Sequence, residues 1–269
     1  NQTPEIVGKL VGTEFEGRVK VVDHRDIFAG YEEFLPTFNS MAITSLLWKI
    51  PRIAEKFIYL NDDFVLLRSV QSTDFFSDSG IVLRGRWQQQ PNASVVHKTI
   101  KAIKTIFRSD NKKTRVSYWE LQQRCGELLG FNERYFRLPH VPHSWHLSSW
   151  QKLFSEFPDA VELNIHARLR GGEQYVPESL SAHFELKNKT ASINNLRTNV
   201  QLKPAEQSYW RIWLKLKLAD RDKNSVFSCI QSIEMATEAK QKLIFSWLDK
   251  RVGSVDELCN KKPEVDVNI

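Results

Sequence analysis

The sequence predicts an α/β fold, and two neighbouring stretches carry that prediction. Phe57–Leu60 is an apolar run of β-branched and aromatic residues that ends abruptly at polar residues, as a buried strand does at the edge of a sheet. Upstream of it, apolar residues recur at helical spacing from Ile43 to Ile50, and Pro51 closes the segment. Because open α/β sheets bind ligands at the ends of their strands, we expect the polar residues after Leu60 to lie at a binding site.

Composition describes a globular chain and excludes a disordered one. Of its 269 residues, 41% are hydrophobic and 26% are charged. No apolar run approaches the roughly 18 residues that a membrane-spanning helix needs, and the start lacks the pattern of a signal peptide. The three cysteines are odd in number and show no CxxC spacing, so we expect reduced thiols. These features predict a cytoplasmic chain without an anchor of its own.

The charge of the chain favours anionic partners. A formal net charge of +6 suits nucleotide sugars, anionic polymers, nucleic acid and an inner-leaflet surface alike. The lysines of the helix predicted at Asn92–Asp110 lack interleaved aromatic residues for base stacking. That lysine row is therefore interpreted as a solvated face, and no nucleic-acid partner is expected.

The polar residues after the predicted strand are Asn61, Asp62 and Asp63. Two carboxylates and a carboxamide at one strand end offer the hard oxygen ligands that suit Mg²⁺ or Mn²⁺. A polar turn explains the same residues equally well, because Asn and Asp are frequent in turns.

Asn39 and Ser40 immediately precede the predicted helix. Either side chain can accept a hydrogen bond from the free amide groups of the first turn, which is the N-cap role. The same position also favours anions, so both residues are candidates for contacting a substrate.

A proline-punctuated loop contains His140, His143 and His146. The spacing suggests a zinc site, but no cysteine or carboxylate joins the histidines within the usual reach. Ser148 and Gln151 then form a capping-box pattern, which predicts a helix that ends before Pro158.

The remaining elements follow from periodicity and capping signals. A strand is expected at residues 19–23, one in the alternating sequence IVLRGRW, and two more in the alternating residues 212–218 and in SVFSCIQS. Helices are expected from the capping box of Ser117 and Glu120 to Leu129, and at Thr237–Arg251.

Three phrases follow one another along the chain. The first is LPTFNSMAI followed by KIPRIAEKFIYLNDDF, the second is HVPHSW with its following helix and FP stop, and the third contains Arg168 and Arg170. Together they resemble the Stealth family of sugar-phosphate transferases, which includes bacterial capsular polysaccharide phosphotransferases. The first phrase is similar to the second conserved region of that family, the second phrase is similar to the third region, and the two arginines match those of a phrase like RFRSxxD.

The resemblance implies a set of site residues. The catalytic residues would be His140, Asp62 and Arg170, and the metal ligands Asp62 and Asp63. Residues implied in substrate binding are Asn39, Ser40, Asn61, His143 and Arg168.

The chain departs from the family pattern at several positions. Gly172-Glu173 stands at the acidic position of the arginine phrase, and Gln231-Ser232 replaces an Asn-Asp pair. Thr44 and Trp48 stand where the family usually has Glu and His. The family's first region, with its aspartate-bearing strand end, has no counterpart here.

The resemblance also implies a fold and an activity. The fold would be a Rossmann-like, mainly parallel sheet flanked by helices, with a helical insertion at about residues 92–157. We expect one N-terminally incomplete catalytic domain over residues 1–269. It would transfer a hexose 1-phosphate, N-acetylhexosamine 1-phosphate by the resemblance, from a UDP-sugar to a saccharide hydroxyl in capsule biosynthesis.

Partners and alternatives follow from the same resemblance. The expected partners are the nucleotide sugar donor, the growing saccharide acceptor and a capsule-assembly complex that would hold the chain peripherally at the inner membrane. The alternative is a catalytically degenerate homologue that binds acceptor polymer or a partner subunit.

Overall fold

The computed structural model describes residues 5–91, 116–254 and 256–257. The helices within these ranges are α1 (Glu5–Lys9), α2 (His24–Ile27), α3 (Ser40–Ser45), α4 (Tyr118–Leu128), α5 (Leu147–Glu156), α6 (Pro158–His166), α7 (Pro177–Asn188), α8 (Tyr209–Arg221) and α9 (Glu238–Val252). The strands are β1 (Lys56–Tyr59), β2 (Phe64–Leu66), β3 (Phe76–Ser77), β4 (Gly80–Leu83), β5 (Arg86–Gln89), β6 (Arg134–Arg137), β7 (His143–His146), β8 (Ala191–Ile193), β9 (Thr198–Leu202) and β10 (Ser225–Ile230).

The strands form small sheets with mixed pairing. Antiparallel pairs join β1 to β7, β2 to β10, β3 to β4 and β5 to β6, whereas β4 and β8 are parallel. The predicted α/β class is confirmed. Within the described part of the chain, the mainly parallel, Rossmann-like arrangement is supported only loosely, by the β4–β8 pair. Parallel neighbours in sequence need a long crossover connection. Only the short turn at residues 78–79 separates β3 from β4, so these two strands pair antiparallel.

The chain divides into two compact units. The first contains residues 1–24, 63–69 and 199–269, and the second contains residues 25–62 and 70–198. One of the four positions at which the chain passes between the units falls between Asp62 and Asp63.

The core of the first unit packs α8 and α9 against its sheet. Ile212, Leu216 and Ala219 of α8 lie in one cluster with Ile244 and Trp247 of α9. The strand predicted at residues 212–218 is therefore wrong. Its alternating leucines are also compatible with a helix, because Ile212, Leu216 and Ala219 recur at i, i+4 and i+7.

One hydrophobic cluster of the second unit lies between β4, β6 and α7. Ile81, Leu83, Phe136, Leu138 and Ala182 form this cluster. The segment 92–157, predicted as a helical insertion, also supplies β6 and β7 to the sheets. The helix predicted at Asn92–Asp110 lies outside the described residues.

Local capping and turn signals had mixed outcomes. The capping box of Ser117 and Glu120 is confirmed, and so is the helix that starts after Thr237. The predicted strand IVLRGRW breaks into β4 and β5 at Gly85, whose φ of +150° few L side chains adopt. The predicted box of Ser148 and Gln151 is wrong, because α5 starts after His146.

Residues 19–23 form neither helix nor strand, so the strand predicted there is wrong.

Among the described residues, no helix combines the length and apolar character required for crossing a bilayer.

A pair of leucine substitutions distinguishes helix from strand in α8. A strand would place Leu216 and Leu218 on one face, whereas in α8 Leu216 is 3% exposed and Leu218 is 54% exposed. We expect Leu216→Ala to lower the free energy of unfolding by about 3 kcal/mol through loss of core contacts. Leu218→Ala should lower it by less than about 0.5 kcal/mol. Urea denaturation followed by circular dichroism measures both, and equal losses would contradict the helix.

Candidate active site

Pairing between β1 and β7 brings the acidic strand end and the histidine loop to one end of a sheet. Tyr59 lies opposite His143, and Lys56 lies opposite His146. Because the strands are antiparallel, residues 60–62 leave β1 on the side where residues 140–142 enter β7. Two of the three segments predicted to form the site therefore meet in the second unit.

Tyr59 connects these segments through its ring and its hydroxyl. Its ring stacks on Trp145 at a centroid distance of 4.7 Å and on His143 at 6.4 Å. Its hydroxyl donates a hydrogen bond to Asn61 Oδ1 and lies 3.2 Å from Thr44 Oγ1. Tyr59 thus holds the Asn61 carboxamide. The sequence analysis missed it, although alternation along β1 places Tyr59 and Asn61 on the same face.

Asn39 is fully buried and serves the local structure. Its Oδ1 accepts a hydrogen bond from the Met41 amide at 3.1 Å, which confirms the N-cap role. Its Nδ2 donates to the Ala167 carbonyl at 2.8 Å, and the Phe38 amide donates to the Arg168 carbonyl at 3.0 Å. These bonds attach the start of α3 to the loop that carries the two predicted arginines.

Arg170 reaches the start of α3 directly. Its Nη2 donates a hydrogen bond to Ser40 Oγ at 2.5 Å, and both residues are exposed. Arg168 is exposed as well, and its carbonyl accepts the bond from Phe38. Arg170 is thus joined through its side chain to another predicted site residue.

One cavity of about 440 Å³ contains three of the predicted residues. The three predicted site residues that line it are Ser40, Asn61 and Asp62. Most of its other lining residues are apolar, among them Ile43, Leu47, Ile50, Ile53 and Phe57. A mainly apolar cavity with a few polar groups is the usual form of a small-molecule site. Arg170 contacts this cavity through Ser40.

The two predicted histidines occupy different environments. His143 is 7% exposed, and burial, then the charges of His140 and Arg84, lowers its pKa to about 3. It is therefore neutral at physiological pH. His140 is half-buried, and its ring stacks on Tyr118 at a centroid distance of 4.9 Å. Of the two rings, His140 is the more accessible for proton transfer.

Glu178, in the first turn of α7, has a carboxyl with a shifted pKa, which the sequence analysis did not single out. Burial raises the pKa of its carboxyl to about 7, and the nearby charge of Arg170 opposes this shift. Its charge also raises the pKa of Tyr118, after the larger effect of burial. The carboxyl therefore lies near both Arg170 and the tyrosine that stacks on His140. An acidic residue in the first turn of a helix ordinarily stabilises the helix dipole, so its sequence gave no signal.

Asp62 and Asp63 have different surroundings. Asp62 is exposed. In the first unit, Asp63 Oδ2 accepts a hydrogen bond from the Cys229 thiol at 3.3 Å, while Oδ1 is buried without a hydrogen-bond partner among the described residues. A buried carboxylate oxygen with no partner fits a hard divalent cation. The described ranges contain no cluster of three or more His, Cys, Asp or Glu residues suited to a metal.

The Gln231-Ser232 pair does not reproduce the chemistry of Asn-Asp. Gln231 Oε1 accepts a hydrogen bond from Gln201 Nε2 at 3.2 Å, and Ser232 has a left-handed φ of +54°. A neutral hydroxyl at this position supplies no negative charge.

Comparisons with known proteins agree with the second predicted region. Residues 3–83 match the family profile described as Stealth protein CR2, conserved region 2. An exopolysaccharide phosphotransferase of Lactiplantibacillus plantarum is 32% identical over 173 residues, which cover 57% of this chain and 49% of that protein.

Other curated relatives carry similar names. A capsular polysaccharide phosphotransferase of Actinobacillus pleuropneumoniae is 32% identical over 158 residues, covering 51% of this chain and 42% of that protein. An exopolysaccharide phosphotransferase of Streptomyces coelicolor is 30% identical over 185 residues, covering 68% of this chain and 18% of that protein. The chain thus spans about half, or less, of the length of these relatives.

The pKa of Glu178 predicts a pH-dependent effect of Glu178→Gln. Between the usual value of 4.5 and about 7, the folded chain retains a proton that the unfolded chain releases. The stability of the unmodified chain therefore falls as pH rises through this window. Glutamine does not titrate, so the Glu178→Gln variant does not lose stability in this way. The free energy of unfolding of the variant, relative to that of the unmodified chain, should therefore increase from pH 4.5 to pH 8 by about 3 kcal/mol at most.

Urea denaturation at a series of pH values measures this difference. Glu173→Gln is the matched control, because Glu173 is exposed on the preceding loop. A difference between Glu178→Gln and the unmodified chain that stays constant with pH would contradict the buried environment of the carboxyl.

Proposed function

We propose that the chain is a member of the Stealth family, whose second conserved region residues 3–83 match, and that it transfers a hexose 1-phosphate from a nucleotide sugar to a saccharide hydroxyl. A UDP-N-acetylhexosamine is the proposed donor, and a growing capsular polysaccharide is the proposed acceptor. The names of the similar proteins support phosphotransfer in capsule or exopolysaccharide synthesis. The finer identity of donor and acceptor rests on the sequence resemblance.

The observation that carries this proposal is the convergence of distant segments in the second unit. Asp62 and Ser40 line one cavity, Arg170 bonds to Ser40, and β1–β7 pairing brings the histidine loop to the same end of the sheet. A diphosphate requires cationic and hydrogen-bonding groups that are positioned together. These groups are contributed by three segments that are far apart in sequence.

In the proposed reaction, the acceptor oxygen bonds to the sugar-linked phosphorus of the donor. The bond between that phosphorus and the bridging oxygen breaks, and the nucleoside monophosphate leaves with the bond's electrons. The Arg170 guanidinium holds phosphate oxygens in its planar fork. His140 accepts the proton of the acceptor hydroxyl, and Asn61, held by Tyr59, orients the substrate.

Mg²⁺ or Mn²⁺ is the proposed cofactor, and Asp62 and Asp63 are the residues that would hold it. A divalent cation supplies charge neutralisation to the pyrophosphate. Phosphoryl transfer depends mainly on positioning and electrostatics, so each charged side chain at the site should contribute strongly.

Substitution at three positions tests the assignment. In the longest available form of the protein, we expect Asp62→Asn, His140→Ala and Arg170→Ala each to lower turnover by about a hundredfold or more. Release of nucleoside monophosphate from the labelled nucleotide sugar measures turnover. Asp78→Asn and His166→Ala are controls, because both residues are exposed and neither contributes to the proposed site. Unchanged turnover in all three site variants would refute the assignment.

A second candidate function is a homologue that binds acceptor polymer or a partner subunit without catalysis. The neutral Gln231-Ser232 pair favours it, since the family carries an acidic residue there. Titration with a labelled nucleotide sugar, with and without Mg²⁺, separates the candidates. Metal-dependent donor binding supports the transferase, and its absence supports the binding module.

A further inference from the structure

Helix α8 has an apolar surface on each of two opposite faces. Ile212, Leu216 and Ala219 are buried in the core of the first unit. On the opposite face, Trp210 is 72% exposed and Leu218 is 54% exposed. We call this exposed surface the α8 face, and its residues are Trp210, Trp213, Leu214, Lys217, Leu218 and Arg221. Contiguous exposure of tryptophan and leucine is uncommon on soluble proteins and marks a contact surface.

The two tryptophans of the α8 face contact each other and a lysine. The ring centroids of Trp210 and Trp213 are 5.9 Å apart, and their planes make an angle of 77°. Lys217 Nζ lies 5.9 Å from the centroid of the Trp213 ring. The lysine therefore lies beside the indole, as in helices whose basic side chains extend from an apolar surface toward a polar layer.

The charge on the α8 face is positive. Lys217 and Arg221 are exposed on it, and Arg211 is exposed at its edge. Asp220 is the single acidic residue in the sequence of the helix. Its Oδ1 accepts hydrogen bonds from Arg251 at 2.6 Å and from Trp247 at 2.8 Å. Asp220 is thus engaged within its own unit, and the face presents cations to an anionic partner.

The composition of the face distinguishes between three classes of anionic or apolar partner. The ring planes of Trp210 and Trp213 make an angle of 77°, so the two indoles do not form one continuous flat surface for an extended saccharide. Protein interfaces are depleted in lysine at their centres, whereas Lys217 lies between the tryptophans and Arg221. Tryptophan, leucine and basic residues on one helix face are typical of helices that lie in a membrane interface.

We propose that the α8 face binds the surface of an anionic lipid bilayer. Trp210, Trp213, Leu214 and Leu218 enter the boundary between headgroups and acyl chains, and Lys217 and Arg221 contact headgroup phosphates. This mode of binding lays the helix along the membrane. It is independent of the proposed transferase chemistry, because none of the residues of the α8 face belongs to the proposed site.

Vesicle binding by the purified chain tests the proposal. We expect binding to vesicles of phosphatidylglycerol and phosphatidylcholine in equal parts, weaker binding to phosphatidylcholine alone, and a decrease as salt rises. Trp210→Ala/Trp213→Ala should lower the ratio of bound to free protein by about tenfold or more. Met235→Ala is the matched control, because Met235 is also 72% exposed and lies in the same unit. It should leave binding unchanged.

A second variant keeps the test decisive if the tryptophan variant fails to fold, which circular dichroism reports. Lys217→Glu/Arg221→Glu reverses two exposed charges and should abolish binding to the anionic vesicles. Absence of vesicle binding, or binding that both variants retain, overturns the proposal.

Two other occupants of the α8 face would also overturn it. One is a second copy of the chain, shown by a concentration-dependent dimer that the tryptophan variant loses while vesicles remain unbound. The other is an anionic polymer, shown by dextran sulfate that binds through the tryptophans in the absence of vesicle binding.

Discussion

The antiparallel pairing of β1 with β7 is the constraint on which the candidate site depends. A strand end alone can place Asn61 and Asp62 side by side, but it cannot supply a base or a cation. The register that sets Tyr59 opposite His143 supplies the histidine loop, more than 75 positions along the chain. A slip of one residue would turn the side chains of β1 to the other face and separate Tyr59 from the rings of Trp145 and His143.

The start of α3 shows how one buried residue organises several exposed ones. The Asn39 carboxamide accepts a hydrogen bond from the Met41 amide and donates one to the Ala167 carbonyl. Its bonds fix the loop from which Arg170 reaches Ser40. The sequence left both capping and substrate contact open for Asn39 and Ser40. In the structure Asn39 caps the helix, and Ser40 is exposed.

Structural features that depend on neighbouring residues could be predicted from the sequence, and those that depend on the packing of the folded chain could not. The N-cap of α3, the capping box of α4 and the strand before Asn61 follow from neighbouring residues and were predicted. Alternation in α8 was misleading, because the leucines at Leu214 and Leu218 are exposed and only Leu216 of the three is buried. The pKa of Glu178 is raised by burial, which depends on how α7 packs in the folded chain, so no local sequence pattern could indicate it.

The raised pKa of Glu178 makes the charge near Arg170 depend on pH. The guanidinium remains protonated, whereas the neighbouring carboxyl has a pKa of about 7. Below that value the protonated carboxyl leaves the positive charge of Arg170 uncompensated, and above it the carboxylate offsets that charge. A ligand that carries two or more negative charges therefore interacts more favourably with this region in slightly acidic solution. His143 cannot reverse this trend, because its pKa of about 3 keeps it neutral over the same range.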